Sequence, residues 1–326
     1  RIHTWQSLNE DQRAAATAYF RRAVFPVLTP LALDPGHPFP FLSNLSLSLA
    51  VHASDPTSAE PRLAFVKIPE TLPRFVQIPG LQPAPDTASG DAPIDLLRLE
   101  ELTQNHLGDL FPGVVIEGSY PFRVTRDMDI EILQDEASDL LSAVDREVRR
   151  RKFGAAVRLE VSPGVPERVR AMLVDKLEIE DDVYEVDGPL GLSGLMQIAA
   201  LARPQLRDAA FSARVPAVWL EAADPFAAIR QGDILLHHPY DAFTPVLELL
   251  SLAADDPNVL AIKMILYRTS AQAEVIKILI RAAEKGKQVA VSIELKARFD
   301  EENNIGWARA LERAGLLGVL HHGQRD

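Results

Sequence analysis

Two arginines occupy the positions where an α/β sheet usually carries its chemistry. Arg268 follows an apolar run at residues 259–266, and Arg298 follows the next apolar run, at residues 289–295. Ligands of open parallel sheets bind beyond the carboxyl ends of the strands, so both side chains are expected at one edge. A guanidinium group donates two parallel, charge-assisted hydrogen bonds, which suits a phosphate. The spacing therefore predicts two arginines that can converge on a polyanion.

Other charged side chains accompany both arginines in the sequence. Lys296 can add a point charge close to Arg298. Four acidic residues can hold the arginines in place or bind a divalent ion that carries phosphates: Glu294, Asp300, Glu301 and Glu302. The alternative is a set of structural ion pairs between strand ends and helix starts, since charged loop residues are common. The residue types alone leave both interpretations open.

A pair of histidines is a weaker candidate for chemistry. His237 and His238 precede a proline, and a nucleophilic or metal-binding role is conceivable for them. The chain has no cysteine and no HExxH helix, so we interpret this segment as a turn ordered by Tyr240 and Asp241. The chain also lacks a Walker A loop and a dinucleotide-binding glycine fingerprint.

The composition limits the classes of function. The 326 residues carry a net charge of −12, which argues against a general nucleic-acid binder but permits a local basic pocket. The basic run at residues 149–152 is interpreted as a solvated helix end, with a polyanion-steering patch as the alternative. The absence of cysteine excludes disulfides and thiolate chemistry. The sequence has no run of about 20 apolar residues, so no transmembrane segment is predicted. A cytoplasmic location is expected.

The first two-thirds of the chain predict a mixed α+β domain. A helix capped by Asn9 is expected at residues 8–24, followed by a proline-rich, extended connector at residues 25–41. Strands are expected at residues 45–51, which we interpret as half-buried, and at 63–68, 75–78, 156–161 and 183–186, and residues 121–132 are expected to contain a further strand. Further helices are expected at residues 96–107, 135–153, 166–177 and 190–200, and a surface loop at 80–93.

The last third predicts a parallel α/β sheet. Strands are expected at residues 259–266, 289–295 and 316–320, alternating with helices at residues 243–253, 271–285 and 300–314. Gly286 and Gly315 are well placed to end two of these helices. Near-continuous apolar strands of this kind are typical of a sheet buried on both faces.

Several long motifs resemble the polyphosphate kinase family. They are DILLHHPYDAF at residues 233–243, LAIKMILYRTS at 260–270 and ELKARFDEENNIGWARALERAG at 294–315. Earlier segments are also similar: residues 25–51, FRVTRDMDIEI at 122–132 and YEVDGPLGLSGLM at 184–196. The resemblance is collinear from about Phe20 to Gly315.

The resemblance implies a fold and a domain organisation. Residues 1–24 would end an N-terminal helical region, and residues 25–214 would form the head domain. Residues 215–326 would be the first, truncated part of a C-terminal catalytic domain with a phospholipase D-like fold. The expected fold class is therefore α/β: a mixed α+β head domain followed by part of a parallel-sheet α/β domain.

The resemblance also implies an activity. The family transfers the terminal phosphate of ATP to polyphosphate through a phosphohistidine, with Mg²⁺ as cofactor. Arg268 and Arg298 match the family's two arginines associated with magnesium and phosphate, so they are the expected cofactor-binding and metal-site residues. Self-association to a dimer or tetramer is implied as well. Because arginine is not an ordinary Mg²⁺ ligand, we expect both side chains to contact phosphate oxygens that the metal also binds.

The nucleophile is expected outside this sequence. The family's histidine lies in an H-x-K motif that would fall just past Asp326, so no catalytic histidine is assigned within the chain. His321 and His322 lie in a tail, LLGVLHHGQRD, that departs from the family pattern, and they receive no catalytic role. The isolated chain is therefore expected to be inactive. The alternatives are a fragment of another phospholipase D-like phosphotransferase or hydrolase, and a non-catalytic oligomerisation or polyanion-binding module.

Overall fold

The computed structural model describes residues 1–33, 39–54, 61–78, 94–128, 141, 154–179, 181–267, 272–295, 297, 300–315 and 317–321. The chain divides into two compact units. Unit 1 contains Arg1–Met128 and Lys152–Arg207, and unit 2 contains Asp129–Arg151 and Asp208–Asp326. Among the described residues, no helix is both long and apolar enough to cross a bilayer.

Unit 1 is a mixed α+β structure with two sheets. Its strands are β1 (Ile2–His3), β2 (Pro30–Leu33), β3 (Leu47–Ser54), β4 (Pro61–Lys67), β5 (Phe75–Gln77), β6 (Leu96–Arg98), β7 (Val115–Arg126), β8 (Ala156–Val161) and β9 (Val183–Glu185). Its α-helices are α1 (Glu10–Tyr19), α2 (Leu99–Gln104), α3 (Leu107–Leu110), α4 (Glu167–Leu177) and α5 (Met196–Ala199). The larger sheet has the order β2-β4-β3-β7-β8-β9, and the smaller one β1-β6-β5.

The first helix begins where the sequence predicts. The Asn9 side chain accepts a hydrogen bond from the Gln12 backbone N–H at 2.9 Å, and the Gln12 side chain accepts one from the Asn9 N–H at 2.9 Å. This reciprocal capping box satisfies two backbone donors that the first helical turn leaves unpaired. The helix continues as a π-helical turn, Phe20–Val24, which buries Phe20 in the core.

Strand β3 corrects one expectation about unit 1. The alternating sequence predicts a half-buried strand, yet seven of its eight residues are buried. Leu47, Leu49 and Val51 join a core with α1 and α2, whereas Ala50 joins a second core with α4. The sheet is thus covered on both faces, and a small serine, Ser48, is accommodated in the interior. The predicted antiparallel partner is confirmed as β4, which also pairs with β2.

Other boundaries in unit 1 differ from the expectations. The predicted helix at 96–107 begins as strand β6 and becomes helical only at Leu99. The proline-rich segment contains a 3₁₀ turn, Phe25–Val27, and strand β2. Strand β2 can begin at a proline because it lies at the edge of its sheet. The helix predicted at 190–200 is a 3₁₀ turn, Leu192–Leu195, followed by the short α5. The predicted loop at 80–93 and the predicted helix at 135–153, apart from the helical Leu141, lie outside the described residues.

Unit 2 carries the parallel sheet. Its described helices are α6 (Ala217–Leu220), α7 (Pro225–Gln231), α8 (Thr244–Asp255), α9 (Gln272–Glu284) and α10 (Glu301–Arg313). Its described strands are β10 (Ala261–Leu266), β11 (Gln288–Glu294) and β12 (Leu317–His321), in that spatial order and all parallel. Gly286 follows α9 with φ +83°, a left-handed conformation that glycine adopts without a Cβ clash.

The expectation that this sheet is buried on both faces is wrong for β10. Ile262 and Leu266 are buried, but Ile265, on the opposite face, is 80% exposed. The physical reason lies in the strand order. Right-handed connections between strands that follow one another in sequence place the helices α9 and α10 on the same face. The core of unit 2 accordingly contains Ile262, Val291 and residues of both helices.

Candidate functional site

The candidate site is the edge of the unit 2 sheet at which the parallel strands end. Leu266 of β10 is in register with Ile293 of β11, and Glu294 is in register with His321 of β12. The three strands therefore end side by side, as the sequence analysis predicts for its two arginine-bearing loops. Arg268 and Arg298 lie outside the described residues, as does Lys296. Their convergence on one ligand stays a prediction.

Backbone hydrogen bonds fix Ala297 and Asp300, the described residues that stand before and after Arg298 in the sequence. The Ala297 N–H donates to the Glu294 carbonyl at 3.3 Å, and the Asp300 N–H donates to the Ala297 carbonyl at 2.9 Å. Leu295 and Ala297 are both fully buried. Arg298 thus stands in the sequence directly after an anchored, buried residue.

The acidic residues differ in their surroundings. Glu301 is buried in the first turn of α10, whereas Glu302 is exposed. Carboxylates in a first turn are favoured by the positive end of the helix dipole. Within the described parts of the chain, no three His, Asp or Glu side chains come together as a metal-binding group. Mg²⁺ is bound by oxygen ligands such as carboxylates and substrate phosphates, and guanidinium groups are not among its ordinary ligands.

Asn304 is a residue of this edge that the sequence analysis does not single out. Its side-chain amide donates to the Glu294 carbonyl at 2.7 Å and to the Tyr267 carbonyl at 3.3 Å. It is fully buried. The available signal in the sequence is an asparagine inside a predicted amphipathic helix, where this residue type is a poor helix former.

The histidine pair forms a turn, as the sequence analysis expects. The buried Asp241 carboxylate accepts the His237 backbone N–H at 2.8 Å and the Arg214 Nε–H at 3.0 Å. The Tyr240 ring packs edge-on against Phe211, with 5.6 Å between centroids. The ordering role predicted for Tyr240 and Asp241 is therefore confirmed. Among the described residues, His237 is not part of a cluster of three or more side chains that could bind a metal ion.

The hydrogen-bonded Asp241 carboxylate should make the stability of the fold depend on pH. The His237 N–H, followed by the Arg214 side chain, lowers the pKa of Asp241. A carboxyl with a depressed folded-state pKa stabilises the fold above its unfolded value of about 3.9, and this contribution is lost as the pH falls through the lower folded value. When the pH is lowered from 5 to 3, the melting temperature of the Asp241→Asn variant should therefore fall less than that of the parent.

Thermal melts at both pH values, followed by circular dichroism, measure this difference. Asp208→Asn, which neutralises an exposed carboxyl of the same unit, is the matched control and should keep the parent's dependence. If Asp241→Asn and Asp208→Asn respond to acid identically, Asp241 does not stabilise the turn through its charge.

Unit 1 contains a cleft that is not a comparable anion site. It encloses about 220 Å³ and includes Arg74 and Arg123 in its lining. Arg74 donates to Glu100 at 2.8 Å, and Arg123 donates to Glu160 at 2.9 Å. Both guanidinium charges are thus offset by nearby carboxylates, and the remaining lining is largely aliphatic. The cleft therefore offers no uncompensated positive charge to a phosphate.

The fold and the sheet edge define a class. Open parallel α/β sheets bind their ligands beyond the carboxyl ends of their strands, and Arg268 and Arg298 follow two of these strand ends in the sequence. The chain matches two family models: the polyphosphate kinase middle domain over residues 11–198, and the polyphosphate kinase C-terminal domain 1 over residues 224–323. This chain belongs to the polyphosphate kinase family.

Similar proteins agree with that assignment. The chain is 48% identical over 328 residues to a polyphosphate kinase of Prosthecochloris aestuarii, with 98% of this chain and 45% of the relative covered. It is 48% identical over 314 residues to polyphosphate kinase 1 of Chlorobaculum tepidum, with 94% and 44% covered. The crystal structure of polyphosphate kinase from Porphyromonas gingivalis matches with a TM-score of 0.77 and 26% identity, covering 98% of this chain and 45% of that one. The chain thus spans somewhat less than half the length of these proteins.

Proposed function

We propose that this chain is the phosphate-binding part of an enzyme that transfers the terminal phosphate of ATP to polyphosphate. Its membership of the polyphosphate kinase family supports the reaction. The observation that carries the location of the site is the side-by-side ending of β10 and β11, because Arg268 and Arg298 follow these two strands in sequence. Family membership also argues against the alternative of a different phospholipase D-like enzyme.

The two arginines supply electrostatic stabilisation in this proposal. The transferred phosphoryl group spreads negative charge over its oxygens, and fixed guanidinium groups stabilise that charge. A Mg²⁺ ion would be held mainly by the phosphates of the nucleotide and few carboxylates, and it would offset part of the phosphate charge. Arg268 and Arg298 contact the phosphate oxygens directly. Carboxylates such as Glu301 and Glu302 offset part of the positive charge of the site.

The covalent step requires a histidine that the matched motifs do not supply here. In the proposed reaction, a histidine nitrogen attacks the γ-phosphorus, the bond to the β-phosphate oxygen breaks, and ADP leaves. A terminal oxygen of polyphosphate then takes the phosphoryl group from the histidine. The sequence contains eight histidines, and none stands in an H-x-K motif. The isolated chain should therefore bind polyphosphate without extending it.

An activity assay combined with a binding assay tests this function. The 326-residue chain, incubated with ATP and Mg²⁺, should yield no polyphosphate, whereas a labelled short polyphosphate should bind to it. Arg298→Ala should weaken that binding by about 1–3 kcal/mol, because a charge-assisted hydrogen bond is lost. Robust polyphosphate synthesis by this chain would contradict the absence of the nucleophile. Unchanged binding by Arg298→Ala would remove Arg298 from the site.

Two finer expectations remain predictions. Self-association to a dimer or tetramer is implied by the family, and light scattering of the chain at high concentration measures it. A cytoplasmic location is expected because that compartment supplies ATP.

A further inference from the structure

Asn304 lies in the first turns of α10 and is fully buried. Asparagine is a poor helix former because its amide competes for backbone hydrogen bonds. Helical side chains point back toward the amino end of their helix, so the Asn304 side chain is directed toward the start of α10. At an interior helical position where no side-chain hydrogen bond is needed, alanine and leucine are the more favourable residues. A buried asparagine at this position therefore indicates a specific hydrogen-bonding role.

The role is a bridge between two strand ends. One amide nitrogen, Nδ2, donates to the Glu294 carbonyl at 2.7 Å and to the Tyr267 carbonyl at 3.3 Å. Both of these partners are carbonyl oxygens, which can only accept. The amide nitrogen, and not the amide oxygen, must therefore face them. The two hydrogens of the same amide group serve one carbonyl each.

The bridged carbonyls stand where both arginine-bearing segments leave the sheet. The last registered pair of β10 and β11 is Leu266 with Ile293. Tyr267 and Glu294 are the next residues along the sequence after this pair. Arg268 directly follows Tyr267, and Arg298 comes four residues after Glu294. The Glu294 carbonyl also accepts the Ala297 N–H, so the same oxygen fixes the turn that precedes Arg298.

We propose that Asn304 is a positioning residue that holds the two arginine-bearing segments at the separation a polyphosphate chain requires. This inference rests on the proposed function. A guanidinium fork loses its paired hydrogen bonds when its anchor moves by a fraction of an ångström, so the backbone spacing controls whether both arginines engage one chain of phosphates. Asn304 acts through the backbone of Tyr267 and Glu294 and does not itself touch the ligand.

Two substitutions separate this role from general stability. Asn304→Asp keeps the shape but places a carboxylate oxygen against two carbonyls, whereas Asn304→Ala removes the bridge. Leu311→Ala is the matched control, because Leu311 is buried in the core on the same helix and is not a partner of either carbonyl. The Asn304 variants should bind labelled short polyphosphate at least about tenfold more weakly. Leu311→Ala should lower the melting temperature and leave the dissociation constant within about twofold.

Hydrogen exchange of the ligand-free chain tests the bridge directly. Asn304→Asp should accelerate exchange at residues 266–268 and 294–298 before the rest of unit 2, whereas Leu311→Ala should accelerate it throughout the unit. In the background of Arg298→Ala, the further change Asn304→Asp should weaken binding by less than twofold, because only one of the two arginines remains and the separation of the two segments no longer affects binding.

The outcomes distinguish the inference from the function on which it rests. Unchanged exchange in Asn304→Asp overturns the bridge. Faster local exchange with an unchanged dissociation constant overturns the positioning role. A parent chain that binds no polyphosphate overturns the proposed function and the positioning role with it, while the exchange data still decide whether the bridge exists.

Discussion

The double variant Arg268→Ala/Arg298→Ala should bind polyphosphate about 2–6 kcal/mol more weakly than the parent chain, since each charge-assisted contact contributes about 1–3 kcal/mol. At about 1.4 kcal/mol per decade, this loss amounts to a factor of about 30 to 10⁴ in the dissociation constant. Fluorescence anisotropy with a labelled short polyphosphate, at fixed ionic strength, measures it. Fixed salt is essential because part of any polyanion affinity is non-specific.

Two controls separate a built site from loose electrostatic attraction. Arg230→Ala/Lys277→Ala removes two positive charges from exposed positions elsewhere in unit 2 and should weaken binding only slightly. Arg268→Lys/Arg298→Lys keeps the charge but loses the planar fork, so its affinity should lie between those of the parent and the alanine variant. Equal losses in the two charge-removing variants would contradict a specific role for Arg268 and Arg298.

Truncating Phe65 should lower the free energy of unfolding of unit 1 by about 3–5 kcal/mol, as expected for Phe→Ala in a core. Phe65 is 1% exposed on β4, and its ring packs edge-on against Phe39 and Phe122 with centroids 5.3 and 5.7 Å away. Its removal leaves a cavity between aromatic rings that the surrounding strands fill only partly. Hydrogen exchange of peptides from β3 and β7 reports the stability of this unit separately from unit 2.

Leu31→Ala is the matched control for this prediction. Leu31 is in register with Phe65 on the neighbouring β2 but is 40% exposed. Its truncation removes less buried surface and should cost no more than about 1 kcal/mol. Similar losses for Leu31→Ala and Phe65→Ala would mean that the aromatic cluster does not dominate the core of the large sheet.

The parallel sheet of unit 2 was predictable from local sequence. Apolar runs of strand length, separated by amphipathic segments that end at Gly286 and Gly315, place β10, β11 and β12 within about two residues of their observed bounds. The position of both arginines after strands follows from the same pattern. The resemblance to the family motifs supplied the ligand that we propose, which residue types alone left open.

Features set by distant contacts were not predictable. The serines of β3 alternate with apolar residues and indicate an exposed face, but a second layer that includes α4 covers that face. The exposure of Ile265 depends on the strand order, which a single run of residues does not encode. The segment that starts at Leu96 has helical composition but pairs first with β1 and β5. Asn304 acquires its role only because two strands end beside its helix.

Hydrogen exchange with and without short polyphosphate shows whether the ligand binds at the carboxyl ends of β10 and β11. The ligand should slow exchange at residues 266–272 and 294–300, where the two arginine-bearing segments leave the sheet. Exchange at the basic run of residues 149–152 and at the unit 1 cleft around Arg74 should be unchanged. Protection confined to either of those regions, or no protection at the two strand ends, would mean that the polyphosphate site does not lie at this edge of the sheet.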